Sequence, residues 1–350
     1  MNDFLIYGAY GFTGKLIARK AHEKGLAPLL AGRDEEKTKE IATELGLPWR
    51  AFSLGDSQSL DEALKGKKAV IHAAGPYSAT AKPMVEACLR NGVHYLDITG
   101  ELEVFEYLAT LDSQAKEKGI ALVPGTGFDV VPTDCLAAHL KEQLPDAHLL
   151  ELAFKGGSNM SRGTALTMLE NIHKGGAVRR DGAITKVPGA WRTREIPYRK
   201  DKSSLSVSIP WGDVSTAYHS TGIPNIIVYT ATSPKSLKMM RLMRHIGWLL
   251  KGGPLKSVAE KQIRKKVKGP DDEARKNNRC YVWGEVKNHD GEVKQAVLET
   301  PEAYRLTAES ALLAAQKIMQ SKDKSGFMTP SMAFGKDYVL EIEGAERKDL

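Results

Sequence analysis

Phe4-Leu-Ile-Tyr7 runs directly into Gly8-Ala-Tyr-Gly11-Phe-Thr-Gly14 and then into Lys15-Leu-Ile-Ala-Arg-Lys20. A short apolar run, a glycine turn and a helical pattern follow one another without a break. A strand-to-helix turn of this kind suits the pyrophosphate of a dinucleotide. Its glycines permit positive φ and close backbone approach, and the helix that follows offers unpaired N–H groups and a positive dipole end. The spacing is G-x-x-G-x-x-G, because Ala9 stands two residues before Gly11. A purely structural turn is the competing interpretation, and the position of this turn at the first strand-to-helix junction argues against it. Gly8, Tyr10, Gly11, Phe12, Thr13 and Gly14 are therefore candidate cofactor-binding residues, with the Thr13 hydroxyl placed to reach a phosphate oxygen.

Working outward, the pattern repeats. Apolar runs at 4–7, 27–31, 49–54, 69–74, 94–98 and 120–123 alternate with helical periodicity at 13–24, 35–45, 60–64, 82–90 and 102–117. Strands alternating with helices predict a parallel, doubly wound α/β sheet, since right-handed crossovers between parallel strands need the intervening helix. After Pro132 the texture changes to strands at 149–154, 205–209, 215–219 and 226–232, with fewer helices. Turn signals stand at Arg179-Arg-Asp181-Gly182 and His289-Asp290-Gly291, the second flanked by alternating strands at 280–286 and 293–298. Residues 302–319 are then a long apolar-periodic helix. The expected organisation is an N-terminal dinucleotide-binding domain over 1–130, completed by a C-terminal helix and tail at about 301–350. An inserted α+β, mixed-sheet domain for substrate or oligomerisation occupies 131–300.

The second strand ends in Leu30-Ala-Gly-Arg33-Asp34, with Arg33 nineteen residues past Gly14. An acid there meets a ribose 2′-hydroxyl, whereas Arg meets a 2′-phosphate. Arg33 offers a planar fork for phosphate, and Asp34 is one position late and suits a helix cap. NADP(H) is thus favoured over NAD(H). The fourth strand ends in Ala73-Ala-Gly-Pro-Tyr77, the fifth in Asp97-Ile-Thr-Gly-Glu101 and the sixth in Gly125-Thr-Gly-Phe-Asp129. In open α/β sheets ligands lie beyond the carboxyl ends of the strands, so three polar, glycine-rich loops converge on one edge. Ala74, Gly75, Pro76 and Thr99 join the cofactor candidates. Tyr77 and Asp129 are the candidate catalytic residues, Tyr77 as a proton donor or a stacking partner and Asp129 as an acid that orients substrate. A packing tyrosine is an equal alternative for Tyr77, and Glu101 is read as a cap for the helix beginning at Leu102. Ser161-Arg-Gly-Thr164 is either an anion pocket or a plain helix cap.

Composition narrows the partners. The chain has 350 residues and a net charge of +7. Residues 235–268 alone carry eleven Lys/Arg and one acid, Glu260, so the remaining 316 residues sum to −3. Met239, Leu242, Met243 and Ile246, with Leu249 and Leu250, form an apolar stripe between those cations. Such a basic amphipathic helix either docks on a sheet, which is favoured, or makes peripheral contact with an anionic membrane. A nucleic-acid partner is not expected, since no base-reading module is present. Three cysteines at distant positions supply neither a disulfide framework nor a C-x-x-C metal motif, and no histidine spacing suggests a metal site. No apolar run reaches the length needed to span a bilayer. A reduced, cytoplasmic setting is expected, in which the Asn159-Met-Ser161 sequon goes unused, and a homo-oligomer is compatible with the sequence.

Gly8–Gly14, then Gly75-Pro-Tyr77 with Val85-Glu-Ala-Cys88, then His94-Tyr-Leu-Asp-Ile-Thr-Gly-Glu101, then Gly127-Phe-Asp-Val-Val-Pro-Thr-Asp134 resemble the saccharopine dehydrogenase-like oxidoreductases, a family that includes trans-acting enoyl reductases. Ser161-Arg-Gly-Thr164, Val282-Trp-Gly-Glu285 and Gly326-Phe-Met-Thr-Pro330 are similar to its second half, so the resemblance covers nearly the whole chain. It implies a Rossmann domain, NADP(H), a mixed-sheet substrate domain, and hydride transfer to or from an imine, enoyl or carbonyl centre of a small-molecule or acyl substrate. The alternative from another class is a cofactor-retaining Rossmann-scaffold interaction protein acting at a membrane surface.

Overall fold

The computed structural model describes residues 3–156, 160–171, 174–199, 202–250 and 252–350. Asn159 of the sequon and Lys251 of the basic stretch lie outside the described residues. The chain divides into two compact units: Met1–Val131 with Tyr304–Tyr338, and Pro132–Ala303 with Val339–Leu350.

The first unit begins β1 (Phe4–Tyr7), α1 (Phe12–Glu23), β2 (Leu29–Gly32), α2 (Glu35–Leu45), β3 (Trp49–Ala51), α3 (Ser57–Leu64) and β4 (Ala69–His72). It continues α4 (Tyr77–Asn91), β5 (His94–Asp97), α5 (Leu102–Thr110), α6 (Asp112–Glu117) and β6 (Ala121–Val123). Every residue of β1, β2 and β4 is buried, which is why those strands read as unbroken apolar runs: helices cover both faces of a parallel sheet. Leu5, Val70, Tyr95 and Leu122 share one face and pack with Met84, Val85 and Cys88 of α4. Asp34 and Asp56 start α2 and α3 by accepting from Lys37 N and Ser59 N, each at 3.1 Å.

The second unit follows as α7 (Val131–Gln143), β7 (Leu149–Lys155), α8 (Arg162–Asn171), β8 (Gly176–Arg180), β9 (Ala183–Val187), β10 (Thr193–Arg199) and β11 (Lys202–Ser208). Then come α9 (Asp213–Thr221), β12 (Asn225–Ala231), α10 (Pro234–Ile246), a 3-10 turn at Gly247–Leu250, α11 (Gly253–Lys266), α12 (Asp272–Asn277), β13 (Arg279–Lys287) and β14 (Val293–Pro301). The chain returns to the first unit with α13 (Ala303–Gln320), β15 (Gly326–Phe327) and α14 (Pro330–Phe334), and ends in β16 (Glu346–Asp349). The final twelve residues thus fall to the second unit, where β16 pairs antiparallel with β14.

The first unit carries a parallel sheet in the order β15-β6-β5-β4-β1-β2-β3. The order reverses at β1, which pairs with β2 on one side and β4 on the other; this is the switch point of a doubly wound sheet, beside which ligands bind. The second unit carries a nine-stranded sheet, β10-β11-β12-β7-β13-β14-β16, with β8 and β9 appended through β12. Only β7 and β12 run parallel in it; the other pairings are antiparallel. The β8–β9 hairpin turns on Asp181 (φ 50°) and Gly182 (φ 79°). At Gly284 of β13 a Cβ would come within 2.7 Å of Leu140 of α7, so that helix lies directly on the sheet. On one face Arg194 spans Glu151 and Glu285 (2.7 Å to the latter) while Tyr229 donates to Glu151 at 2.5 Å.

Two expectations change. Residues 215–219, expected as a strand, lie within α9, which Gly222 ends in a left-handed C-cap. Alternating small and polar residues there carry no decisive period, and Val214 and Ala217, both fully buried three residues apart, mark the helical face. The basic stretch forms α10 and α11 as helices, but α10 buries none of its residues. Leu237, Met240 and Met243 are half-buried while Met239, Leu242 and Ile246 remain exposed, so the apolar stripe is covered only in part.

Candidate functional site

Three glycines shape the first turn, each for its own steric reason. Gly8 has φ +85°, and a Cβ on it would meet the Ala73 carbonyl at 2.8 Å. A Cβ on Gly11 would stand 3.1 Å from the Gly8 oxygen, and one on Gly14 only 2.1 Å from it. The backbone of β1, the turn and the first turn of α1 are therefore folded against one another with no room for a side chain. Gly11 N–H donates to Gly8 O at 2.9 Å, and Gly8 and Ala9 N–H both donate to Ala31 O, which fastens the turn to β2. Helix α1 starts with no side-chain cap and no acidic residue in its first turn. The Thr13 hydroxyl has no protein partner among the described residues. This is an N-terminus left open to an anion.

Beyond β2, Asp34 is committed to α2, pairing with Lys37 and capping the helix, and the Lys37 contact holds its carboxyl below the usual range. Arg33 is exposed, and no hydrogen bond or ion pair engages it among the described residues. Tyr10 lies against this strand end: a Cβ on Gly32 would meet its ring at 2.4 Å, and Lys37 Nζ stands 5.9 Å from the ring centroid. Tyr10, Arg33 and Lys37 thus surround one end of the turn; Lys37 was not anticipated from sequence.

The loops after β4, β5 and β6 are tied together by two carboxylates. Glu101 reaches across to the start of α4 and accepts from Tyr77 N–H (2.8 Å) and Ser78 N–H (2.9 Å). It caps α4, not the helix that follows it. Asp97, fully buried, accepts from Tyr95 Oη (2.7 Å), Thr99 N–H (3.0 Å) and Gly125 N–H (2.8 Å). Its desolvation outweighs these donors and pushes its carboxyl up to about 6. His72 Nδ1 sits 3.2 Å from Tyr95 Oη, and burial lowers that imidazole to about 3. The signal in the sequence was an acid at an inward-facing position of a buried strand, two residues after a tyrosine.

The remaining candidates separate. Ala74, Gly75 and Pro76 form the loop itself, locked by Thr80 Oγ1 donating to Ala74 O (2.7 Å) and Pro76 O (2.9 Å). Thr99 is fully buried and its Oγ1 accepts from Glu101 N–H at 3.0 Å, so it fixes the loop. Tyr77 is buried beneath it, its hydroxyl donating to His72 O at 3.2 Å; burial raises that phenol further. Asp129 lies against Gly100, where a Cβ would meet its Oδ2 at 2.7 Å, and burial pushes its carboxyl up to about 7. Helix α13 supports this loop from behind: Thr307 Oγ1 accepts from Phe128 N–H, and Ser310 donates to Thr126 O. Phe12 packs edge-on against Tyr304 of the same helix at 5.0 Å. In the second unit, Ser161 accepts from Thr164 N–H at 3.3 Å, which is the plain capping arrangement.

A glycine turn and an open helix N-terminus at the switch point of a doubly wound sheet define a nucleotide-binding domain of the Rossmann class. Residues 4–123 match the family of saccharopine dehydrogenase NADP binding domains, in agreement with the resemblance read from the motifs within that segment. The chain is 31% identical over 160 residues to a saccharopine dehydrogenase-like oxidoreductase of Mus musculus, covering 40% of this chain and 37% of that one. It is 36% identical over 140 residues to a trans-acting enoyl reductase of Mycobacterium tuberculosis, covering 38% and 34%. It is 29% identical over 248 residues to a lipid droplet localized protein of Caenorhabditis elegans, covering 61% and 57%. The matches thus span from about a third to under three fifths of the length of these relatives. The fold matches that of apo saccharopine dehydrogenase (L-Glu forming) from Saccharomyces cerevisiae, with a TM-score of 0.69, 13% identity and full coverage of both chains.

Proposed function

We propose that the protein is an NADP(H)-dependent oxidoreductase that transfers hydride to or from an imine, enoyl or carbonyl carbon. The observation that carries this is the edge built at the carboxyl ends of β1, β4, β5 and β6. There an uncapped helix N-terminus stands behind three glycines that admit no Cβ, and Asp97 and Glu101 brace the neighbouring loops. The N–H groups at the start of α1, with Thr13, would hold the pyrophosphate; Ala74, Gly75 and Pro76 would border the nicotinamide ribose. Arg33, exposed at the end of β2 and in no ion pair among the described residues, favours a 2′-phosphate and hence NADP(H). The bound nicotinamide supplies the hydride chemistry; the protein supplies placement and protons. Asp129, its carboxyl pushed up to about 7 by burial, would hold or release a proton near neutral pH. Tyr77, its hydroxyl directed to His72 O, positions the loop from below.

Enoyl substrates are preferred among the three classes. One relative supports this by name, a trans-acting enoyl reductase. The test is a fluorescence titration with NADPH and NADH, followed by a screen of enoyl-thioester, imine and keto compounds for NADPH oxidation. Turnover of one class with NADPH preferred over NADH is the expected result. Tight NADPH binding with no turnover of any class would instead favour the cofactor-retaining interaction protein.

A further inference from the structure

We infer that the α10–α11 region of the second unit is a docking surface for an anionic lipid interface. Six of the ten large apolar side chains that are markedly exposed among the described residues lie on three helices: Met168 of α8, Met239, Leu242 and Ile246 of α10, and Leu255 and Val258 of α11. Each is 39–58% exposed. Helix α11 packs against α8 and against the 3-10 turn that follows α10, so the exposed residues belong to one subregion.

The arrangement is ordered by the helical period. Met239, Leu242 and Ile246 recur at i, i+3 and i+7 on one face of α10, and Lys238, Arg241 and His245 immediately precede them and form its basic edge. On α11, Leu255 and Val258 give way along the same line to Lys261 and Lys265. Arg244 is used to fasten α10, donating to the carbonyls of Gly189 and Ala190. One acid in this stretch, Glu260, pairs with Lys256 at 3.7 Å. Lys235, Lys238, Arg241, Lys261, Arg264, Lys265 and Lys266 have no ion pair among the described residues. A positive field this large, interleaved with exposed Met, Leu, Ile and Val, fits a surface that offers phosphates above an apolar layer.

The charge also decides against other occupants. Two copies meeting through this face would bring two segments of net +10 together. A nucleic acid would use the cations and leave the apolar side chains in water. An anionic lipid interface satisfies both, with the apolar face entering the headgroup–acyl boundary and the ammonium and guanidinium groups held at phosphate level.

The inference does not depend on the proposed chemistry. It is tested by flotation of the full chain with vesicles of phosphatidylcholine alone and of phosphatidylcholine doped with phosphatidylserine. Binding is expected only to the doped vesicles and should weaken as salt is raised. Leu242→Ser with Val258→Ser, and separately Lys261→Glu with Lys265→Glu, should each lower partitioning at least about tenfold, with melting temperature and NADPH affinity unchanged. Absence of binding to the doped vesicles, or equal binding to both compositions, would overturn the inference. So would a wild-type dimer that the Leu242→Ser/Val258→Ser variant dissociates while vesicles bind neither form, since a second copy would then be the occupant.

Discussion

Glu101 is the residue on which the loop beside the cofactor edge is most exposed to test. Its two carboxylate oxygens take the first two N–H groups of α4, at 2.8 and 2.9 Å, and its position 24 residues downstream makes the bond a tertiary one. Pro76, the N-cap, offers no side-chain oxygen, so nothing local replaces the carboxylate. Hydrogen bonds to a charged group contribute about 1.5–3 kcal/mol each in favourable settings, and the dipole interaction adds about 0.3–1 kcal/mol. Glu101 is half-buried and the Ser78 N–H can turn to water, so the net loss falls below the sum of these contributions. Glu101→Ala should cost about 2–3 kcal/mol. For a unit of this size that is a fall in melting temperature of roughly 4–12 °C. Glu101→Gln keeps one acceptor and sets an amide NH2 against the other donor, and should lose about half as much. Because Gly75 and Pro76 precede α4, NADPH affinity should fall with stability in the same order, wild type above Gln above Ala. Thermal melting followed by circular dichroism, paired with NADPH fluorescence titration, measures both. Wild-type melting and affinity in Glu101→Ala would refute the bracing role; a Gln variant equal to wild type would refute the need for charge.

Arg33→Asp should weaken NADPH binding about 10–100-fold, as expected for losing a charge-assisted contact of roughly 1.5–3 kcal/mol, and leave NADH binding little changed; equal losses would remove the 2′-phosphate assignment. Gly14→Ala puts a Cβ 2.1 Å from the Gly8 oxygen, against the Gly8–Ala9 backbone, so it should destabilise the first unit by about 1–3 kcal/mol or more and abolish NADPH binding in the titration. Burial raises Asp97 to about 6 and Asp129 to about 7 from 3.8. The folded state therefore favours their protonated forms, and the resulting stability is present below about pH 4 and lost as pH rises through 6 and 7. Asp129→Asn should flatten the decline of melting temperature over that window, and an unchanged profile would show that this carboxyl does not titrate there. In the second unit, Arg194→Leu leaves Glu151 and Glu285 without their shared cation and should destabilise by about 3 kcal/mol; Glu285→Gln in the same chain should recover part of the loss in urea melts.

Much of the first unit was legible because its signals are local. Buried parallel strands require unbroken apolar runs, crossover helices require a 3.6 period, and the turn at 8–14 requires glycine at three positions for three separate steric reasons. The β8–β9 and β13–β14 hairpins were legible for the same reason, their turn residues being dictated by backbone conformation. What failed to show was long-range. Glu101 looked like a cap for the helix it precedes, since spacing alone cannot say that its carboxylate reaches α4. Asp97 looked like the end of a strand, yet it joins two loops through N–H groups 2 and 28 residues away. Tyr77 stood at the right loop, but only the packing of α4 on β4 turns its hydroxyl toward His72.

The basic segment shows the same division most sharply. Its helices, its charge and the period of its apolar residues are properties of the chain, set by residue type and spacing. Whether those apolar residues are covered is a property of what the fold places beside them. In this structure α10 is held by Arg244 at one point and by a half-buried row of Leu237, Met240 and Met243, while the neighbouring row faces solvent. Amphipathicity specifies that an apolar face exists; the tertiary structure alone decides whether the partner for it lies inside the molecule.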